Sequence, residues 1–196
     1  MKCLTKLPDG YQERLTVDLQ KDKKMAVTVN GIALGLLAVL AFIGNLMVPI
    51  TTLFHGWNIV IMVLGTVVYM VLHELVHGLC MKFFGSQTVR YGFTGLYAYA
   101  GSKEYYGKRA YLIIALAPVV VWGIVLLVVC AWVDIQWFWG IYYIQIANLS
   151  GAAGDLYVTY VCSRLPKDIL IQDSGVSMVV YHRTDMEHGV SEELNG

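Results

Sequence analysis

The chain has 196 residues, no formal net charge, and only 14% charged residues against 57% hydrophobic ones. With a mean hydropathy of +0.59 it is too apolar for an ordinary soluble domain. Its 14 basic residues are matched by 14 acidic ones, which excludes the basic footprint of a nucleic-acid binder.

Residues 1–24 carry Lys2, Lys6, Arg14, Lys21, Lys23 and Lys24 and no early apolar core. They read as a cytoplasmic arm and not as a cleavable signal peptide. Within the arm, Leu15, Val17 and Leu19 alternate with polar residues, the period of a short strand. From Met25 to His73 there is no Asp, Glu, Lys or Arg. A bilayer-spanning helix needs about 20 apolar residues, so this stretch holds two, divided near Pro49 and His55-Gly56-Trp57-Asn58. Residues 110–133 and 135–154 are likewise uncharged. The pattern predicts an all-α membrane protein with four transmembrane helices, near 26–48, 57–80, 110–133 and 136–161, and small membrane-surface and cytoplasmic β-hairpins.

The organisation expected is an arm over 1–24, a four-helix transmembrane domain over 25–162, and a C-terminal hairpin and tail over 163–196. The loop over 81–109 holds Lys82, Arg90, Lys103, Lys108 and Arg109, while the turns at the opposite ends of the spans hold no basic residue. Positive residues favour the cytoplasmic side. The chain is therefore expected to be a multi-pass protein of the cell membrane, with the lipid bilayer as a partner and both termini and this loop in the cytoplasm. Tyr91, Phe93, Tyr97 and Tyr99 recur at even spacing between glycines, predicting a hairpin over about 87–100. The tail reads DILIQ, DSG, VSMVVY, a second hairpin over about 169–181 closed by a glycine turn. The last dozen residues are polar and expected to fray. The four cysteines, Cys3, Cys80, Cys130 and Cys162, make no disulfide framework.

The second predicted span ends in VLHELVHGLC. Titratable side chains are expensive in such surroundings, and metal ligation would offset that expense. His73 and His77 are four apart, one turn of a helix, so both imidazoles can meet one ion. Glu74 lies beside them. This H-E-x-x-H arrangement supplies two zinc ligands and a general base. A catalytic zinc takes three protein ligands and keeps a fourth position open.

The fourth predicted span carries QIANLSGAAGDLYV, in which Asp155 is the only charged residue. It is a candidate third ligand, and Cys80, on the same helical face as the histidines, is its competitor. The small residues Ser150 to Gly154 would let backbones approach closely, as a short aspartate side chain requires. Asn148 lies on nearly the same face and reads equally as a functional group or an interhelical hydrogen-bonder.

With HELVH closing one span, a glycine- and aromatic-rich loop, LAP at 116–118 and an N-to-D motif in the last span, the chain resembles the zincin-peptidase family of membrane proteins. It is similar more broadly to site-2-type intramembrane zinc metalloproteases. The resemblance implies Zn²⁺ at His73, His77 and Asp155, Glu74 as catalytic base, and Asn148 holding substrate backbone. It implies a membrane protein or peptide as substrate, cut in or near the membrane. The segment departs from the site-2 pattern in placing Gly154 before Asp155 and Leu156 after it. The hairpin over 87–100 could accept an extended substrate as an added strand. A non-catalytic metal-binding membrane protein, or an inactive protease-like adaptor, is the alternative; Glu74 favours the enzyme. An ion carrier is disfavoured because the polar groups cluster at one depth.

Overall fold

The computed structural model describes residues 3–95 and 97–184; the expected fraying of the last dozen residues lies outside them. Three helices make the apolar body: α1 (Lys23–Met47), α2 (Asn58–Phe83) and α3 (Lys108–Trp132). Each is long and apolar enough to cross a membrane. At 1.5 Å per residue such helices run about 37 Å, more than a hydrocarbon core of about 30 Å. Their outer faces carry exposed apolar side chains, among them Leu34 and Phe42 on α1, Val67 and Val71 on α2, and Ile124 and Leu127 on α3. Such faces suit lipid. Asp22 caps α1 by accepting from the Met25 N–H.

The stretch expected to be one helix over 136–161 is two. α4 (Phe138–Gly151) stops and α5 (Ala153–Arg164) begins anew, with Ala152 at φ −81° and ψ 16° between them. Each alone is shorter than a membrane is thick. The run Ser-Gly-Ala-Ala-Gly has little side-chain packing to hold a helix through it, and glycine weakens one by about 1 kcal/mol. Gly151 does not serve a close approach, since a Cβ there would meet nothing within 4 Å. The buried members of the run are Ser150, Ala152 and Ala153.

α2 and α4–α5 run in the same direction and touch at successive levels. The Gly140 N–H donates to Asn58 Oδ1 at 3.0 Å. Ile144 fills the space beside Gly65. Tyr69 meets Asn148, and His73 and His77 meet Asp155. This register sets the site, because it holds an acid from one helix opposite imidazoles from another.

Among the described residues, two small sheets lie at the same end of the bundle as this site, against the C-terminal end of α2 and the N-terminal end of α3. β2 (Arg90–Phe93) and β3 (Ala98–Gly101) form an antiparallel hairpin, within the range expected. The second is four-stranded, ordered β1-β6-β5-β4, from β1 (Tyr11–Val17), β4 (Tyr105–Gly107), β5 (Leu170–Asp173) and β6 (Met178–Arg183). Strands from arm, loop and tail thus share one sheet, with Val17, Tyr106, Ile171 and Val180 buried in a cluster that includes Tyr111 and Ile114 of α3. Taken separately, the three segments gave no sign of this sheet. The two sheets meet where the Ser102 N–H donates to the Asp173 carbonyl at 2.7 Å. A Cβ on Gly101 would overlap the Ser174 backbone, so only glycine permits this approach.

Candidate metal centre

His73 and His77 are both buried, 8% exposed each, and their rings lie 4.9 Å apart at 74°. Asp155 reaches both: its Oδ2 is 3.2 Å from His73 Nε2 and its Oδ1 is 3.4 Å from His77 Nε2. Asp155 sits in the first turn of α5, where unpaired N–H groups favour a carboxylate. The break before α5 therefore does more than let the chain bend, because it creates a helix N-terminus at this level.

The other nitrogen of each imidazole is taken up. His77 Nδ1 lies 2.9 Å from the Ile114 carbonyl, which can only accept, so Nδ1 carries the proton. His73 Nδ1 lies 2.7 Å from the Tyr69 hydroxyl. That hydroxyl donates its one proton to Asn148 Oδ1 at 2.8 Å, so it accepts from His73 Nδ1. In its neutral form each imidazole, with Nδ1 protonated, turns its Nε2 lone pair toward the Asp155 carboxylate. Three electron-rich groups facing one another call for a cation between them.

The donor set fits zinc. Two atoms each about 2.0–2.1 Å from a tetrahedral zinc lie about 3.3 Å apart, close to the 3.2 and 3.4 Å observed. The ligand atoms of His73, His77 and Asp155 all lie within 4.8 Å of one another. Cys80 packs instead against the apolar cluster around Tyr111 and Ile114, and all four cysteines are free. Glu74 is outside the ligand group, half-buried, with its carboxylate toward the Ala100 backbone amide of β3.

β2 also comes close, since a Cβ on Gly78 would overlap the Tyr91 hydroxyl. The hairpin thus lies against α2 on both sides of His77 in sequence, near Glu74 and at Gly78.

Asn148 is 0% exposed. Its Oδ1 accepts from Tyr69 and its Nδ2 donates to the Val119 carbonyl at 3.2 Å. The resemblance implies that it holds substrate backbone; in this fold its amide also makes hydrogen bonds inside the helix bundle.

Sequence reasoning passed over Tyr69, Ile114 and Asp173. Tyr69 stands one turn before His73, a spacing that could have marked it. Ile114 acts through its backbone, and only the proline four residues later hints at that. Asp173 accepts from the Tyr111 hydroxyl at 2.7 Å and the Gly175 N–H at 2.8 Å. Burial pushes its carboxyl above the ordinary value, and these hydrogen bonds only partly oppose that.

The profile of the family described as "Putative zincin peptidase" matches residues 66–170, more than half of the chain. The chain belongs to this family. The matched region takes in Tyr69, His73, Glu74, His77, the β2–β3 hairpin, Asn148 and Asp155. Beyond the family match, the chain is 31% identical over 122 residues to a protein of Pyrococcus woesei named "Uncharacterized 24.7 kDa protein in gap 5'region". The match covers 60% of this chain and 53% of the relative, so the chain spans about half the length of the curated relative it matches. No solved structure matches.

Proposed function

We propose that this zincin-peptidase family member is an intramembrane zinc metalloprotease that hydrolyses peptide bonds in or near the membrane. The observation that carries this reading is the convergence of His73 Nε2, His77 Nε2 and Asp155, with Glu74 beside them and outside the ligand group. His73, His77 and Asp155 would hold the ion. When bound, zinc supplies a Lewis acid that acidifies water and polarises a peptide carbonyl. Glu74 takes the proton from the attacking water and delivers it to the leaving amine nitrogen. The burial of His73 and His77 limits bulk water at the site, while Asp155 is partly exposed.

In this reading α4 and α5 together make the fourth membrane crossing, and the site sits near the cytoplasmic edge with both termini in the cytoplasm. The substrate is a membrane protein or peptide, opened locally to an extended form. The β2–β3 hairpin would receive it as an added strand, with Ala100 close to Glu74. Asn148 supports the site from within the bundle.

The test is hydrolysis of a panel of membrane-protein segments by purified protein in detergent or vesicles, wild type beside Glu74→Gln. Cleavage by the wild type, abolished in Glu74→Gln with zinc retained, supports the reading. Zinc bound in both with no cleavage of any segment would favour the non-catalytic metal-binding alternative.

A further inference from the structure

We propose that Tyr69 and Pro118 are positioning residues that set the tautomers of His73 and His77 and so aim both Nε2 lone pairs at the metal position. This rests on the metal-site reading above.

The first half begins at Asn148. Its Nδ2 faces the Val119 carbonyl at 3.2 Å. A carbonyl only accepts, so the amide cannot be turned the other way without losing this bond. Oδ1 is thereby directed at Tyr69, whose hydroxyl proton it takes. The Tyr69 oxygen is left as an acceptor for His73 Nδ1–H. Tyr69 is itself held edge-on by Trp122, with ring centroids 6.5 Å apart at 86°. The chain Val119–Asn148–Tyr69–His73 admits one arrangement of protons, and that arrangement frees His73 Nε2.

The second half begins at a proline inside a helix. Pro118 lies within α3. In a regular helix the Ile114 carbonyl would accept from the N–H of residue 118, but proline has none. A backbone carbonyl left unpaired in an apolar segment is unfavourable. His77 Nδ1–H satisfies it at 2.9 Å. The same bond that completes α3 locks His77 with Nε2 free. Pro118 makes the acceptor available and the imidazole uses it. Groups that orient a ligating histidine through its second nitrogen commonly change metal affinity 10–100-fold when removed.

The experiment measures zinc affinity of the full chain in detergent by chelator competition, with the visible spectrum of the cobalt form as a second readout. Wild type is compared with Tyr69→Phe, Pro118→Ala and the double variant. Tyr69→Phe keeps the ring and loses only the hydroxyl. Pro118→Ala restores an N–H that competes for the Ile114 carbonyl. Each should weaken zinc binding about 10–100-fold and alter the cobalt spectrum. The double loss should be near the product of the single losses, because different histidines are affected. Thermal stability of metal-free Pro118→Ala should hold or rise, since α3 regains a hydrogen bond; a merely structural proline would show the stability change without the affinity change.

Asn148→Leu is the second variant for the first half and replaces Tyr69→Phe if that fails to fold. It turns the Tyr69 proton toward His73 Nδ1 and should also weaken zinc, without adding to the loss in Tyr69→Phe. Affinities and spectra within about twofold of wild type would overturn the inference while leaving the metal site standing. A wild type that binds no zinc would overturn both.

Discussion

Asp155 Oδ2 lies 3.2 Å from His73 Nε2 although 82 residues of chain separate them. The pairing joins two helices that run side by side, and α5 begins where its first turn can present the acid. If the three ligand atoms hold zinc, purified protein should carry about one zinc per chain. His73→Ala, His77→Ala and Asp155→Ala should each lower occupancy sharply, while Cys80→Ser should leave it near the wild-type level. Metal analysis of protein purified without chelator checks this, and equal loss in Cys80→Ser would point to a different ligand set.

Glu74→Gln separates binding from chemistry. The amide cannot accept the proton, yet Glu74 contributes no atom to the ligand group. Zinc content should therefore be unchanged. The hydrolytic rate should fall by a factor of about 10²–10⁴, the usual range for a general base, in a single-turnover cleavage assay.

Glu104 gives a pH dependence outside the membrane-spanning segments. Burial alone would raise its carboxyl, but hydrogen bonds from Ser86, Thr88 and the Gln87 N–H prevail and hold it below the ordinary 4.5. A carboxyl depressed in the folded state stabilises the fold above the unfolded value, and that stability is lost as pH falls through the folded value. Glu104→Gln should therefore destabilise the protein by about 1–3 kcal/mol at neutral pH and by much less once Glu104 in the wild type is protonated. Thermal unfolding of both proteins across the acid range measures the difference; a gap that does not narrow in acid would refute the charged role.

Gly101→Ala tests the junction of the two sheets. The added Cβ would meet the Ser174 backbone, which cannot rotate away as a side chain would. The β5–β6 turn should be pushed off β3, at roughly 1–3 kcal/mol. Hydrogen exchange should report it at the Ser102 N–H, now bonded to the Asp173 carbonyl. Unchanged protection there would mean that the two sheets can part without consequence.

Topology is open to direct labelling. A cysteine at position 103, in an otherwise cysteine-free chain, should react with impermeant reagent only after the cytoplasmic side is exposed, as the basic residues of the 81–109 loop imply. Labelling from outside intact cells would invert the orientation proposed.

Several of these features are legible in the amino-acid order alone because they are local. Helical period puts His73 and His77 on one face whatever surrounds them. Long uncharged runs mark apolar helices of membrane length at α1, α2 and α3, though the run over 135–154 is divided between α4 and α5. Alternation and glycine punctuation mark the β2–β3 and β5–β6 hairpins before any contact is known. What only the tertiary structure decides is non-local. The restart at Ala153 depends on how a run of small residues packs, which composition does not state. The single sheet joining residues 11–17, 105–107, 170–173 and 178–183 depends on strand partners far apart in the chain. The hydrogen bonds of His77 to Ile114 and of Tyr69 to Asn148 depend on one helix being set against another to within a fraction of an ångström. Spacing along one helix can nominate ligands, but the direction in which each lone pair points is set by groups on its neighbours.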